Sequence, residues 1–202
     1  MIVAAALPLV AVPAHPQQAA PPPVPRAALS TRATVEVVLN GRMIGGTWTP
    51  GAAALAGPAK IAINYGQPHA RGRQVIGGPV VPWDTVWRTG ANLATHLSTD
   101  VDLTIGTTVV PAGIYTLYTR PSVAGWELVI NTQVAQWGTV YDQGRDLARI
   151  PMRVRTRAEP LESLSIWLVP TQLPSGSREP QRGVLTIAWG RTEAQVDWTV
   201  GR

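Results

Sequence analysis

Apolar residues in this chain recur at every second position in short runs, and no stretch repeats them at the three- and four-residue spacing a globular helix requires. Val35, Val37 and Leu39 alternate with Thr34, Glu36 and Val38; Ile61, Ile63 and Tyr65 alternate with Lys60, Ala62 and Asn64; Leu164, Ile166 and Leu168 repeat the pattern. Gly, Pro and Asx turn residues separate the runs about every ten positions, the spacing of short strands. A strand with one apolar face buries it only against a second layer, so the expected fold is all-β, an antiparallel β-sandwich with little helix. An apolar fraction of 45% in 202 residues is ample for one core.

Turn chemistry refines this expectation. In "VLTIAWGRTEAQVDWTV", Leu185, Ile187 and Trp189 share one face, Gly190-Arg191-Thr192 reads as a turn, and Ala194, Val196, Trp198 and Val200 share a face of the return strand. "VDLTIGTTVVPAGIYTLYTRP" reads as two successive hairpins, turning at Gly106-Thr107 and at Pro111-Ala112-Gly113, with "GWELVINTQ" as the next strand. Between Asn40 and Pro58 the Gly-, Pro- and Ala-rich segment reads as a long loop whose Trp48 caps the core.

The chain opens on "MIVAAALPLVAVPAHPQQ", an apolar run too short to span a bilayer, followed by small residues, with Val12-Pro13-Ala14 similar to an A-x-A cleavage site. It lacks the cationic start usual for such a segment. Residues 1–14 are read as a signal peptide, 15–26 ("QQAAPPPVPR" at its heart) as a proline-stiffened tether, and 27–202 as a single β domain. The expected location is periplasmic or secreted, with no integral membrane segment after processing. There is no cysteine, which excludes disulfides, thiolate catalysis and cysteine-ligated metals. Lys and Arg number 17 against 12 acids, for a net charge of +5, and nearly all the cations are arginines scattered singly. A nucleic-acid binder gathers its cations in a stripe with aromatic residues interleaved, so no nucleic-acid partner is expected.

The segments "RGRQVIGG", "VPWDTVWRTGAN", "ATHL", "PAGIYTLYTRP", "WELVIN", "QWG", "YD" and "ARIPMRV", after Tyr65-Gly66, resemble in that order the bacterial family called domain of unknown function 2911, from about Ala33 to the C-terminus. The resemblance implies an exported, mostly-β domain and assigns no activity. Relatives tend to carry Y-x-R-P-S-x-K-G-R where this chain has Tyr65-Gly66-Gln67-Pro68-His69-Ala70-Arg71-Gly72-Arg73, so Gln67 replaces a cation before the proline.

The densest chemistry lies in Trp87-Arg88-Thr89-Gly90-Ala91-Asn92. The Arg88 guanidinium offers five donors to a carboxylate, phosphate or sugar hydroxyl, Trp87 a flat apolar wall, and Gly90 a sharp turn with an open amide. The competing reading ties Arg88 to Asp84 or another acid and to loop carbonyls, places Trp87 in the core and gives Asn92 an Asx turn. Arg71-Gly72-Arg73 is either an anion-binding concavity shared with Arg88 or two solvated cations. The ligand-binding candidates are therefore Arg73, Trp87, Arg88 and Asn92, with Tyr115 and Trp137 next, since Trp126, Trp137, Tyr115, Tyr118 and Tyr141 gather aromatic surface suited to a sugar face.

No catalytic residue, metal or cofactor is assigned. Asp100 and Asp102 alternate with apolar neighbours on what reads as one strand face, but such acids are usually solvated. His96 has no second histidine at a ligand spacing, and neither a G-x-S-x-G elbow, a P-loop nor a dinucleotide fingerprint occurs. The functional expectation is a small polar or anionic molecule, or a cell-envelope glycan, bound near Trp87–Asn92. The alternatives are a structural or protein-interaction module of the envelope, and less favoured, a hydrolase using His96 or an Asp pair.

Overall fold

A computed structural model describes residues 28–39, 41–44, 47–50 and 59–201. The signal peptide and tether expected at residues 1–14 and 15–26 lie outside them, as does the side chain of Trp48. Among the described residues eleven strands run in order: β1 Ser30–Leu39, β2 Gly41–Ile44, β3 Thr47–Pro50, β4 Ala59–Pro68, β5 Thr95–Thr99, β6 Leu103–Ile105, β7 Thr108–Val110, β8 Gly113–Pro121, β9 Trp126–Asn131, β10 Asp146–Pro170 and β11 Arg182–Val200. Among the described residues the helical structure is one 3-10 turn, Gln143–Arg145.

Nine strands form one antiparallel sheet in the order β1-β4-β5-β8-β9-β10-β11-β6-β7. A flat sheet would leave a face of every strand wet. Here the 25-residue β10, which fully extended would reach about 80 Å, bends and serves both halves: Asp146–Met152 pair with β9, and Arg153–Pro170 with β11. The sheet folds over this strand into the two facing layers of a sandwich. One core cluster joins Ile61, Ile63, Leu97, Leu117, Leu128 and Ile130 of the first layer to Leu164, Ile166, Ile187, Val196 and Trp198 of the second. The open side is closed where the end of β4 meets the middle of β10: His69 bridges Ser163, and Ala70 N donates to Glu162 O at 2.7 Å.

Three expectations are corrected. Gly190-Arg191-Thr192 makes no hairpin; β11 runs through it, and Gly190, at φ 58°, kinks β11 opposite a bulge in β10. The kink at Gly190 accounts for the buried positions changing from odd (Leu185, Ile187, Trp189) to even (Ala194, Val196, Trp198) without a turn. Gly106-Thr107 does close the β6–β7 hairpin, but Pro111-Ala112 does not close a second: β8 leaves the sheet edge and pairs between β5 and β9. The Asn40–Pro58 segment contains the β2–β3 ribbon.

The outer face of the first layer is covered as well. Thr116, Tyr118, Val129 and Asn131 point away from the main core and are nevertheless buried, because the connections leading into β5 and out of β9 lie across them. Ala94, Tyr118 and Val129 form a second small cluster there, with Val86 and Tyr141 packed on it. The Trp87–Asn92 loop belongs to this cover.

Candidate functional site: the Trp87–Asn92 loop and the Arg88 hollow

Trp87 exchanges both backbone hydrogen bonds with Thr119 of β8, at 2.7 and 2.9 Å, so the loop begins as a one-residue extension of the sheet. Alternation then sends neighbouring side chains to opposite faces. Trp87 enters the main core and stacks on Trp189 with ring centroids 5.8 Å apart at 18°. Arg88 stays half-buried on the covered outer face.

Thr89 has φ 54° although it is β-branched and fully buried. Such a conformation costs about 1–3 kcal/mol and persists only where neighbours impose it. The Thr89 hydroxyl lies 3.2 Å from the Thr119 hydroxyl and 3.3 Å from the Trp87 carbonyl oxygen, while the Thr95 hydroxyl donates to the Thr89 carbonyl at 2.9 Å. Gly90 is required by close approach: a Cβ there would stand 2.9 Å from both the Gly66 carbonyl oxygen and the Thr95 hydroxyl. Ala91 N donates to that same Gly66 carbonyl at 3.0 Å. Asn92 is exposed at φ 64°, and its carbonyl accepts from Gly138 N at 3.0 Å.

Among the described residues, Arg88 has one hydrogen-bond acceptor, the Gly90 carbonyl, 3.2 Å from Nε, and no carboxylate within ion-pair distance. Asp84, one of the acids the competing reading offered it, pairs instead with Arg120 at 3.6 Å. Burial without a counter-charge lowers the Arg88 pKa, although a guanidinium stays ionised. Its aliphatic stem rests on Gly138, where a Cβ would come within 2.1 Å of Arg88 Cδ. Arg88 lines a hollow of about 220 Å³ with Pro82, Val86, Gly138, Thr139 and Tyr141.

The Tyr141 end of this hollow is tightly organised. The Tyr141 hydroxyl donates to Asp146 Oδ2 at 2.6 Å and accepts from Arg149 Nη2 at 2.7 Å, and Asn131 Nδ2 donates to Asp146 Oδ1 at 2.9 Å. Burial and the hydrogen bond to Asp146 push the Tyr141 phenol up to about 12, so it stays protonated. An edge contact with Tyr118, centroids 4.9 Å apart, holds the ring. Ion pairs of 3.0, 3.7, 3.6 and 3.6 Å then run from Asp146 through Arg149, Glu127 and Arg120 to Asp84. The cations nearest the hollow are thus neutralised, Arg88 excepted.

The structure brings Trp87, Arg88 and the Asn92 backbone together. Trp137 lies beside them, 51% exposed, on a strand stub bridged to Leu93. Arg73 lines a different hollow and donates to the Ala70 and His69 carbonyls at 2.9 and 2.8 Å. Tyr115 is buried, its hydroxyl donating to the Pro111 carbonyl, and Tyr118 and Trp126 are buried too. Of the five aromatics read as sugar surface, Trp137 alone is strongly exposed. Asp100 and Asp102 sit between β5 and β6, each accepting from a backbone amide (Lys60 N of β4 at 3.0 Å, Ala112 N of the β7–β8 connection at 2.8 Å). Among the described residues no group of three His, Asp or Glu side chains is placed to hold a metal. His96 accepts from Ala135 N at 3.0 Å through Nε2. Gly138 and Arg149 were not candidates from sequence, and nothing in the sequence joined Tyr141 to Asp146; "QWG" and "YD" marked the segment but not its contacts.

A family model described as protein of unknown function (DUF2911) matches residues 49–198. No curated protein and no solved structure matches the chain.

Proposed function

The chain belongs to the DUF2911 family, and with its site geometry as the remaining guide we propose that it binds a small carboxylate-bearing molecule, such as an acidic sugar unit of the cell envelope, in the Arg88 hollow. One observation carries the reading: Arg88 is a half-buried cation with a single backbone acceptor and no carboxylate partner among the described residues, beside a hollow with aromatic and apolar walls. A ligand carboxylate would meet its outer N–H groups in the paired geometry guanidinium favours. The strained Thr89 and close-packed Gly90 support the same reading, since such backbone strain concentrates at binding loops. The apolar run of residues 1–14 supports a periplasmic or secreted setting. Among the described residues no helix is long and apolar enough to cross a membrane.

Thermal shift with galacturonate tests the proposal. At a hundred times its Kd a ligand adds about 2.7 kcal/mol of stability, several degrees in Tm. Wild type should show that shift and folded Arg88→Gln should lose it; an unchanged shift in the variant removes Arg88 from the site.

A second reading, an interaction module with no small-molecule site, is favoured by the Trp87–Trp189 stack, which makes part of the motif plain core. It predicts that Arg88→Gln and Trp87→Ala lower Tm and that galacturonate shifts neither wild type nor variant.

A further inference from the structure

Where β11 kinks at Gly190, β10 bulges into an arch. Thr156 pairs with Thr192 and Leu161 with Gly190, so two steps of β11 face five of β10, and residues between Thr156 and Leu161 leave the ladder. The arch opens a hollow of about 310 Å³ over Trp189, walled by Val75, Ile76 and Pro160 and flanked by Arg73 and Arg191. A second hollow, of about 390 Å³, shares Arg73, Pro160 and Gly190 with it and ends at Glu162. A side chain at Gly190 would intrude here, its Cβ 3.2 Å from Val75 Cγ2. Bulges are over-represented beside active sites, where they re-aim side chains or end the pairing.

Both arginines are fixed by main-chain carbonyls rather than by acids. Arg73 donates through Nε and Nη2 to Ala70 O and His69 O; Arg191 donates through Nη1 to Arg157 O and Ala158 O. Neither has a carboxylate within ion-pair distance among the described residues, whereas Arg120, Arg149, Arg153, Arg155 and Arg157 all do. Nη1 of Arg73 and Nε and Nη2 of Arg191 have no acceptor there. The Glu162 carboxylate accepts from Arg71 N at 2.8 Å at the opposite end, which repels an anionic head from that end and leaves an acceptor for a hydroxyl.

We infer that this hollow is an anion site separate from the Arg88 hollow, taking a phosphomonoester: the dianionic head between Arg73 and Arg191, the organic part over Val75, Ile76 and Pro160. Two positioned guanidiniums suit a doubly charged, multi-acceptor head better than a monocarboxylate, and the apolar walls add affinity for a hydrophobic substituent.

The test is calorimetric titration with phenyl phosphate and inorganic phosphate, together with amide chemical-shift mapping of the wild-type protein. Phenyl phosphate should bind several-fold more tightly than phosphate and shift the amides of Gln74, Gly190, Arg191 and Thr192. Arg73→Gln and Arg191→Gln should each weaken it tenfold or more, and Arg88→Gln should not. Shifts gathered at Gly138 and Thr139, no shifts at all, or wild-type affinity in folded Arg73→Gln and Arg191→Gln would overturn the site. The wild-type map needs no variant, so a misfolded variant leaves the test decisive. Loss of galacturonate binding at Arg88 would not touch this inference.

Discussion

His96 shows how one neighbour redirects a residue that sequence offers as a catalytic base. Its Nε2 accepts a backbone N–H, which demands a neutral ring, and burial together with the positive charge of Arg32 lowers its pKa below the ordinary 6.5. The folded state therefore binds fewer protons than the unfolded state below about pH 6.5. Stability from this group is present above that value and is lost as pH falls through the folded pKa. Thermal unfolding from pH 8 to 5 should show wild type losing Tm with a step that His96→Gln lacks; parallel profiles would remove His96 as the cause. Glu193, absent from the candidates drawn from sequence, is the opposite case. Burial pushes its carboxyl up, but hydrogen bonds from Arg157 and Arg155, both at 2.7 Å, more than offset this and hold it below the usual range.

At the scale of elements, a glycine with positive φ serves a hairpin turn and a kink within a continuous strand equally well, and that is why Gly190-Arg191-Thr192 was legible as punctuation but not as a kink. What separates the two is the partner strand: β10 continues alongside β11 past Gly190, so the ladder resumes at Thr156–Thr192. Gly190→Ala should cost roughly 1–2 kcal/mol from its φ of 58°, with an added penalty from the 3.2 Å approach to Val75. Urea unfolding measures it; an unchanged midpoint would mean the kink relaxes freely. The same dependence on partners hid Pro111-Ala112, whose turn chemistry is real but feeds a crossover to β8 rather than a hairpin.

For the whole molecule, stability and site geometry meet on β10, the strand common to both layers. Glu193 of β11 joins Arg155 and Arg157 of β10 just beyond the point where β10 passes from β9 to β11. Glu193→Gln leaves Arg157, 28% exposed, without its carboxylate. The expected loss is about 2 kcal/mol, less than for a fully buried pair because Arg155 is 66% exposed. It should appear as a lower urea midpoint at unchanged m-value at pH 7, and shrink in acid as Glu193 is protonated in the wild type. A wild-type midpoint for the variant would show the cluster to be merely superficial.

Sequence alone determined the all-β class, the alternating core positions such as Ile61, Ile63, Leu164 and Ile166, and the loop in which Trp87, Arg88 and Gly90 gather, because period-two burial and turn stereochemistry are local properties of the chain. Only tertiary structure decided that Trp87 stacks on Trp189, that Asp84 pairs with Arg120 while Arg88 has no carboxylate partner among the described residues, and that Arg73 lines a hollow with Arg191 rather than with Arg88. Those pairings join residues about a hundred positions apart or choose among several equivalent acids and arginines. Local propensity carries no information about that choice; it is made by the bend of β10, which sets which side chains of the two layers meet.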